Sequence, residues 1–522
     1  MSLDSKKISV SFGTSGLRGL VREMTDFVCY SYVTAFLQYV QRLEAEHVAS
    51  HVDGISYFGN YLSERKVAVS GDLRQSTTRM IRVVYRAIFD QGFTPIDCGR
   101  FPTPAVAFFA TEKRIPGLMI TGSHIPDDRN GIKFFLPTGE ITKKDEAALR
   151  DLIAKEQITV PDGMFLENGE LHNLLFPRWV ETDRGELAQT YYMRYVDSMP
   201  KNLLEGMRIG IYEHSAVGRE LLGDLYESLG AEVLRLGRTD DFVAIDTEAL
   251  PEDVFAKTSD WANACNLDAV LSTDADSDRP LLFDENGDWL RGDLIAMLTA
   301  WFLGAETVVT TLTASSALER SGLFTKTIRT KVGSAYVMEA MQNALANGEL
   351  NLAGFEPNGG FLVGSPFSME MQLKKLNLAP PKKMFLEPLM SRDPAIVHIA
   401  VLAGAKMLGR PVSELRKLFP PCHVESDRLT NYPIERSAAL LAELQKNEGG
   451  RYPLMERWFA ELGTPINVNL LDGVRMTFAH GETVHVRASG NAPELRCYVE
   501  TDSEECSKQL LASTLEKISS DH

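Results

Sequence analysis

Short apolar runs, each ending in a polar loop and followed by a helical segment, recur along the whole chain, and this alternation limits the fold more than any other feature. Lys66–Ser70 (KVAVS), Gly117–Thr121 (GLMIT), Arg208–Tyr212 (RIGIY), Asp268–Ser272 (DAVLS), Thr307–Thr311 (TVVTT) and Asn351–Gly354 are the clearest strands. Helices are predicted between them, among them Thr78–Gln91 and Gly218–Leu229, the latter closed by Gly230. Such a pattern predicts α/β domains with largely parallel sheets. The strand, loop and helix unit recurs three times, with no short sequence period and no low-complexity segment. A chain of 522 residues exceeds one ordinary core. Joints at Met199–Gly206, near Gly304 and at Phe419–Cys422 divide it into residues 1–203, 204–303, 304–420 and 421–522. The last part has a different texture: Val468–Phe478, Thr483–Arg487 and Leu495–Glu500 read as strands of a smaller α+β unit.

The composition, 44% hydrophobic and 24% charged with no apolar run of bilayer length, is that of a soluble globular protein. Met1–Val10 carries two lysines and no apolar core, so a cytoplasmic location is expected. The cysteines are scattered without a C-x-x-C pair, and reduced thiols are expected rather than disulfides or zinc ligands. A net charge of −17 repels nucleic acid and anionic membranes at long range, so a phosphorylated ligand must be caught by a local cationic site.

Four loops carry groups suited to that task. In the first, Thr121-Gly122-Ser123-His124-Ile125-Pro126 followed by Asn130-Gly131-Ile132-Lys133, a serine hydroxyl lies just past a strand, at the edge where open α/β sheets place ligands. In the second, Asp274-Ala275-Asp276-Ser277-Asp278-Arg279, three alternate carboxylates can converge on one hard cation. An EF-hand needs glycine at its sixth position, where this chain has Arg279, and only three carboxylates are offered, which favours magnesium over calcium. The third, Gly354-Phe355-Glu356-Pro357-Asn358-Gly359-Gly360, sets a carboxylate beside an amide, as recognition of sugar hydroxyls requires. In the fourth, Arg487-Ala488-Ser489-Gly490-Asn491 with Arg496, two arginines, a hydroxyl and accessible backbone amides can cradle a phosphate dianion.

Taken together, and in this order, the four loops resemble those of the α-D-phosphohexomutase family, the phosphoglucomutases and phosphomannomutases, whose members carry T-A-S-H-N-P-x-x-x-N-G-x-K, D-G-D-G-D-R, G-E-x-S-G and R-x-S-G-T-x-P. Phe12-Gly13-Thr14-Ser15-Gly16-Leu17-Arg18-Gly19 also resembles the family's amino-terminal signature. The resemblance implies three related α/β domains with mixed, largely parallel sheets plus a smaller C-terminal α+β domain, around a central cleft. It implies a phosphoserine at Ser123 that donates its phosphoryl group to a hexose phosphate and recovers one from a hexose 1,6-bisphosphate. Mg²⁺ would sit on Ser123, Asp274, Asp276 and Asp278, with Arg279 nearby, and Lys133 would transfer the proton at the sugar hydroxyl, assisted by Arg18 and flanked by His124. Glu356 and Asn358 would hold the sugar, and Arg487, Ser489, Gly490, Asn491 and Arg496 the idle phosphate.

The chain departs from the pattern at Ala275 and Ser277, in place of the metal-loop glycines, and at Asn491, in place of threonine. Asn358 and Gly360 replace a serine and, in phosphomannomutase-like members, a histidine, and Ser334 stands where some members have a second histidine. These changes leave the chemistry in place and the sugar open. A hexose-bisphosphate synthase, a metal-dependent sugar phosphatase and an inactive sugar-phosphate-binding member are the alternatives. The partner expected is a hexose phosphate, with neither nucleic acid nor membrane, and a monomer or homodimer.

Overall fold

The computed structural model describes residues 10–13, 15–49, 61–155, 158, 160–172, 180–182, 184–489 and 493–520. Thr14 of the opening signature and Gly490 and Asn491 of the fourth loop lie outside the described residues. By internal packing the chain divides into two units, residues 1–305 with 334–415 and residues 306–333 with 416–522.

In the first unit a mixed sheet runs Ser11–Phe12, Leu17–Leu20, Arg129–Leu136, Gly117–Ile120, Lys66–Gly71, Thr94–Asp97, Glu181–Thr182, with Gly139–Glu140 added on Arg129–Leu136. Lys66–Gly71 is parallel to both Gly117–Ile120 and Thr94–Asp97. Val67, Ala68, Val69, Leu118, Met119 and Ile120 are all fully buried, because both faces of these strands are covered, which is why their sequence lacks polar alternation. Helix Gln75–Asp90 buries Thr77, Met80, Ile81, Val84, Ala87 and Ile88, a stripe of helical period, and ends where Gly92 takes φ +76°. The helix starts three residues before the expected Thr78. The Thr77 hydroxyl donates to Asp72 at 2.6 Å, so a residue that reads as a weak helix former instead anchors the first turn.

A second sheet runs Glu232–Leu236, Arg208–Tyr212, Ala269–Thr273, Pro280–Phe283, its first three strands parallel and its last antiparallel. Leu352–Phe355 likewise pairs antiparallel with Phe361–Val363. One device is thereby repeated: a buried strand, a tight loop, and an antiparallel return. The loops are residues 121–128, 274–279 and 356–360, the first three singled out by their chemistry.

In the second unit Thr307–Thr311 is parallel to Lys326–Thr330. An antiparallel sheet runs His423–Thr430, Glu494–Thr501, Thr483–Ala488, Val474–Thr477, Asn467–Asn469. Val474, Met476, Val484, Val486, Cys497 and Val499 of this sheet pack against Leu440 and Leu444 of helix Ile434–Leu444 and Leu511 and Ile518 of helix Glu504–Ser520. The stretch Val468–Phe478, expected as one strand, is two. The chain reverses before Gly473, whose φ is +77° and whose missing Cβ would lie 2.3 Å from the Val486 carbonyl oxygen.

All six cysteines are free, with Cys29, Cys98 and Cys497 buried and Cys506 exposed. Among the described residues no single helix is long and apolar enough to cross a membrane.

Buried histidines make the fold acid-sensitive. His398, on helix Pro394–Leu408, donates from Nε2 to the Leu281 carbonyl at 3.0 Å and accepts at Nδ1 from the Tyr226 hydroxyl at 2.7 Å. Burial holds its pKa down at about 3, and holds those of His214 and His485 at about 4. The unfolded chain therefore binds protons that the folded chain refuses. Stability from this source is complete above the unfolded value, about 6.5, and is lost as pH falls toward 3 to 4. Between pH 6.5 and 4, calorimetry should find stability falling less steeply in His398→Gln than in the parent, the slopes differing by up to about 1.4 kcal/mol per pH unit. Equal slopes would contradict the assignment.

Candidate active site

Ser123 sits in the left-handed region at φ +56°, a conformation that costs an L-residue roughly 1–2 kcal/mol. A buried network imposes it. The Ser123 amide donates to the Thr121 hydroxyl oxygen at 2.7 Å, and Thr121 Oγ and the Gly122 amide both donate to Asp72 Oδ2, at 2.8 and 3.2 Å. Arg74, paired with Asp72 at 3.0 Å, donates to the carbonyls of Ser123 at 2.9 Å, Pro126 at 2.6 Å and Arg129 at 3.0 Å, and also to that of Ile125. The Phe242 ring covers the guanidinium at 4.1 Å. A Cβ on Gly122 would lie 2.4 Å from Arg74 Cζ, which explains glycine where the pattern has alanine. So held, Ser123 Oγ donates to Asp274 Oδ2 at 2.5 Å and lies 3.3 Å from His124 Nδ1.

Asp274, Asp276 and Asp278 are fully buried, and each offers an oxygen within 4.8 Å of the others. The loop turns on Ser277, at φ +52°, where the pattern has glycine. Its hydroxyl oxygen accepts from the Gly218 amide at 2.9 Å and from the Thr273 hydroxyl at 2.8 Å, so the strained serine is held in place. Thr103 donates through its hydroxyl to Asp276 Oδ2 at 2.6 Å and through its amide to the Asp276 carbonyl at 2.9 Å.

Lys133, expected to transfer a proton at the sugar hydroxyl, is buried against two carboxylates. It donates to Asp276 Oδ2 at 2.6 Å and to Asp278 Oδ2. The reason is its register: Lys133 lies opposite Met119 on the antiparallel return strand, beneath the metal loop's carboxylates. The three carboxyls consequently differ. Burial favours protonation of all of them. Lys133 and the Thr103 hydroxyl outweigh it at Asp276, and Arg392, with Lys133 and Arg279, outweighs it at Asp278, holding both below the usual carboxylate range. Among the described residues no cation forms an ion pair with Asp274, and burial plus its two neighbours push it up to about 8. His124 is held neutral by burial and by the nearby charges of Arg279 and Arg18. Arg18, donating to the Thr121 carbonyl, is lowered by burial only to about 10 and stays charged.

A cation fits this cluster. Among the described residues Asp276 Oδ1 and Asp278 Oδ1 are buried acceptors with no hydrogen-bond partner, and the third carboxylate, Asp274, has no counter-charge in contact. Ligands that are all hard oxygens suit Mg²⁺.

In the third loop the Asn358 side-chain oxygen accepts from the Gly360 amide at 2.9 Å, which fixes the side chain's orientation and leaves its NH₂ to offer a ligand. Glu356 Oε2 accepts from Arg392 Nη1 at 3.1 Å, and Arg392 Nη2 donates to Asp278 Oδ2 at 2.6 Å. Asp72, Arg74, Thr103 and Arg392 are the residues of this region that the sequence reading missed. A readable signal existed for three of them, Asp72, Arg74 and Arg392: Asp72-Leu73-Arg74 and Ser391-Arg392-Asp393 each come just before a helix, where polar residues converge.

In the second unit Arg487 and Arg496 are directly opposite one another on neighbouring antiparallel strands. Two like charges so placed repel. Arg487 is balanced by Asp472 at 3.1 Å and Arg496 by Glu494 at 3.2 Å, while Arg496 Nε is buried without a hydrogen-bond partner. Ser489 follows Arg487's strand, its amide donating to the Glu494 carbonyl at 2.9 Å.

Four family models match in order: phosphoglucomutase/phosphomannomutase alpha/beta/alpha domain I over residues 43–159, domain II over 190–287, domain III over 291–421 and the C-terminal domain over 429–517. The chain belongs to the phosphoglucomutase/phosphomannomutase family. It is an intramolecular phosphotransferase of the phosphohexomutase type. A phosphomannomutase of Sinorhizobium fredii is 38% identical over 511 residues, covering 98% of each chain, and one of Salmonella muenchen is 36% identical over 516 residues, covering 98% of this chain and 96% of its own. A phosphoglucosamine mutase of Bdellovibrio bacteriovorus is 26% identical, covering 97% of this chain and 98% of its own. The fold matches a phosphoglucomutase/phosphomannomutase family protein from Burkholderia thailandensis with a TM-score of 0.69 at 17% identity, covering 97% and 96% of the two chains. It also matches N-acetylphosphoglucosamine mutase of Aspergillus fumigatus, solved with GlcNAc-6P and magnesium, with a TM-score of 0.54 at 15% identity, covering 96% and 94%.

Proposed function

We propose that this enzyme interconverts mannose 1-phosphate and mannose 6-phosphate, carrying the phosphoryl group on Ser123 and using a hexose 1,6-bisphosphate as both intermediate and activator. The observation that carries the chemistry is the approach of Ser123 Oγ to Asp274 at 2.5 Å, within a cluster of three carboxylates and buried cations. The phosphomannomutases at 36% and 38% identity support mannose over glucosamine, whose mutase is only 26% identical.

Asp274, Asp276, Asp278 and Ser123 are the residues that would hold Mg²⁺, which when bound neutralises phosphoryl charge. Neutral His124, 3.3 Å from Ser123 Oγ, would line the site beside the phosphoryl carrier without adding charge to it. Lys133, between two carboxylates, is suited to donate one, and Arg18 and Arg279 add positive charge. Glu356 and the Asn358 NH₂ would bind sugar hydroxyls. Arg487, Ser489, Gly490, Asn491 and Arg496 would hold the phosphate that is not reacting. In domain terms, residues 1–203 would supply the phosphoserine, 204–303 the metal loop, 304–420 the sugar loop and 421–522 the phosphate loop. A chain of net charge −17 acting on small anions through local cations fits a cytoplasmic enzyme with no nucleic-acid or membrane partner.

Coupled assays on mannose 1-phosphate, glucose 1-phosphate and glucosamine 1-phosphate, each with its bisphosphate, test this reading. The highest kcat/KM is expected for mannose 1-phosphate. Turnover of glucosamine 1-phosphate alone would overturn the sugar assignment, and release of inorganic phosphate without isomer would overturn the mutase. Arg487→Ala should raise KM and lower kcat together, because energy from binding the idle phosphate also orients the reacting hydroxyl. A charge-assisted contact is worth roughly 1.5–3 kcal/mol, so kcat/KM should fall by about ten- to a hundredfold.

A further inference from the structure

Arg392 is among the most deeply buried arginines of the first unit, 2% exposed, and it joins two of the loops described above. Its position is fixed from behind. Asp393 caps helix Pro394–Leu408 by accepting from the Ala395 amide at 3.1 Å, and takes the Tyr191 hydroxyl at 2.6 Å and that of Tyr195. Ahead of it the guanidinium forks, Nη2 to Asp278 at 2.6 Å and Nη1 to Glu356 at 3.1 Å. Its stem fills the space over Gly360, where a Cβ would lie 2.5 Å from Arg392 Cδ. Its Nε is buried and has no hydrogen-bond partner, an unmet donor beside the loop that carries Glu356 and Asn358.

We propose that Arg392 is a positioning residue that couples the metal loop to the sugar loop: by sharing one guanidinium between Asp278 and Glu356 it competes with a divalent cation for Asp278 and sets Glu356 for the sugar. This rests on the phosphohexomutase reading above. Charge that Arg392 spends on Asp278 is charge a metal need not supply. Removing it makes the aspartate cluster more negative and frees Glu356 to turn away. The two consequences have opposite signs, which a residue serving only to hold the fold together could not produce.

The test uses Arg392→Gln, which removes the charge, with Gly360→Ala as a second variant that displaces the stem while leaving the guanidinium in the chain. Gly360 is not in the left-handed region, so its alanine acts by contact, first with the Arg392 stem and then with Asn358 Oδ1 at 2.9 Å. Mn²⁺ binding is measured by paramagnetic resonance without sugar, and KM for mannose 1-phosphate by coupled assay, with circular dichroism as the check on folding. A coupling of ordinary size, about five- to 150-fold, predicts Mn²⁺ bound roughly tenfold more tightly and KM roughly tenfold higher in Arg392→Gln, and a weaker change of the same pattern in Gly360→Ala. Both affinities falling together, or neither moving, would overturn the coupling while leaving the mutase intact. A parent enzyme that bound no Mn²⁺ would overturn the metal site, and the coupling with it.

Discussion

Ser123→Ala is expected to lose turnover by at least about four orders of magnitude, since the hydroxyl it removes is the one held against Asp274 and the reaction cannot be split into its two transfers without a carrier. The hydroxyl's neighbours leave no substitute: Asp274 and His124 flank it, and the backbone on either side is held by Thr121, Asp72 and Arg74. The same mutation should cost little stability. The left-handed φ of +56° is imposed by the Arg74 and Asp72 network, which does not involve the serine side chain. Ser123→Gly, which removes the strain as well, should be equally inactive and at least as stable as the alanine variant. Peptide mass spectrometry after incubation with a hexose bisphosphate should find phosphate on Ser123 in the parent and none in either variant. An active, folded alanine variant would remove the serine from the mechanism.

Much of this was legible because the strands that lead into the site are buried on both faces, and such strands have to be written as unbroken apolar runs. Arg208–Tyr212 and Thr307–Thr311 have the observed bounds, and the other predicted strands of the α/β sheets begin or end within a residue of them. The polar loop after each run was therefore easy to delimit, and three of the four functional loops follow from that alone. Hidden from such reading was everything set by pairing across long sequence distances. Lys133 reads as one cation among several, yet the register of Arg129–Leu136 buries it against Asp276 and Asp278. Arg392 and Arg74 read as ordinary charges at helix starts, yet each is buried and each ties a loop to something distant. Val468–Phe478 reads as one strand because Leu470 and Leu471 continue the apolar pattern through what is a turn at the surface.

These buried cations also decide what losing each aspartate should do. Asp276 and Asp278 are acceptors for Lys133 and Arg392, whereas Asp274 has only the Ser123 hydroxyl and two backbone amides, those of Asp278 and Arg279 at 3.2 Å. Asp278→Asn leaves two buried cations with one carboxylate fewer. Breaking a buried pair costs roughly 3–5 kcal/mol, and the loss here should lie near the lower end because Lys133 keeps Asp276 and Arg392 keeps Glu356. Asp274→Asn should do the opposite in metal-free buffer. The folded state raises the Asp274 carboxyl to about 8, so the folded chain holds a proton that the unfolded chain gives up. Its stability penalty is absent below the unfolded value of about 3.9, grows as pH rises, and is complete near pH 8. Asparagine removes that penalty and keeps the acceptor for both amides, so Asp274→Asn should match the parent at pH 4 and exceed its melting temperature at pH 8. Activity should not follow stability. Both variants should lose at least about a thousandfold in kcat, because each removes an oxygen ligand from a site that has only three carboxylates to offer. Mg²⁺ should raise the melting temperature of the parent and of neither variant. An Asp274→Asn protein that is destabilised at pH 8 would overturn the raised Asp274 carboxyl, and one that still gains stability from Mg²⁺ would show that the cation does not sit on the carboxylate beside Ser123.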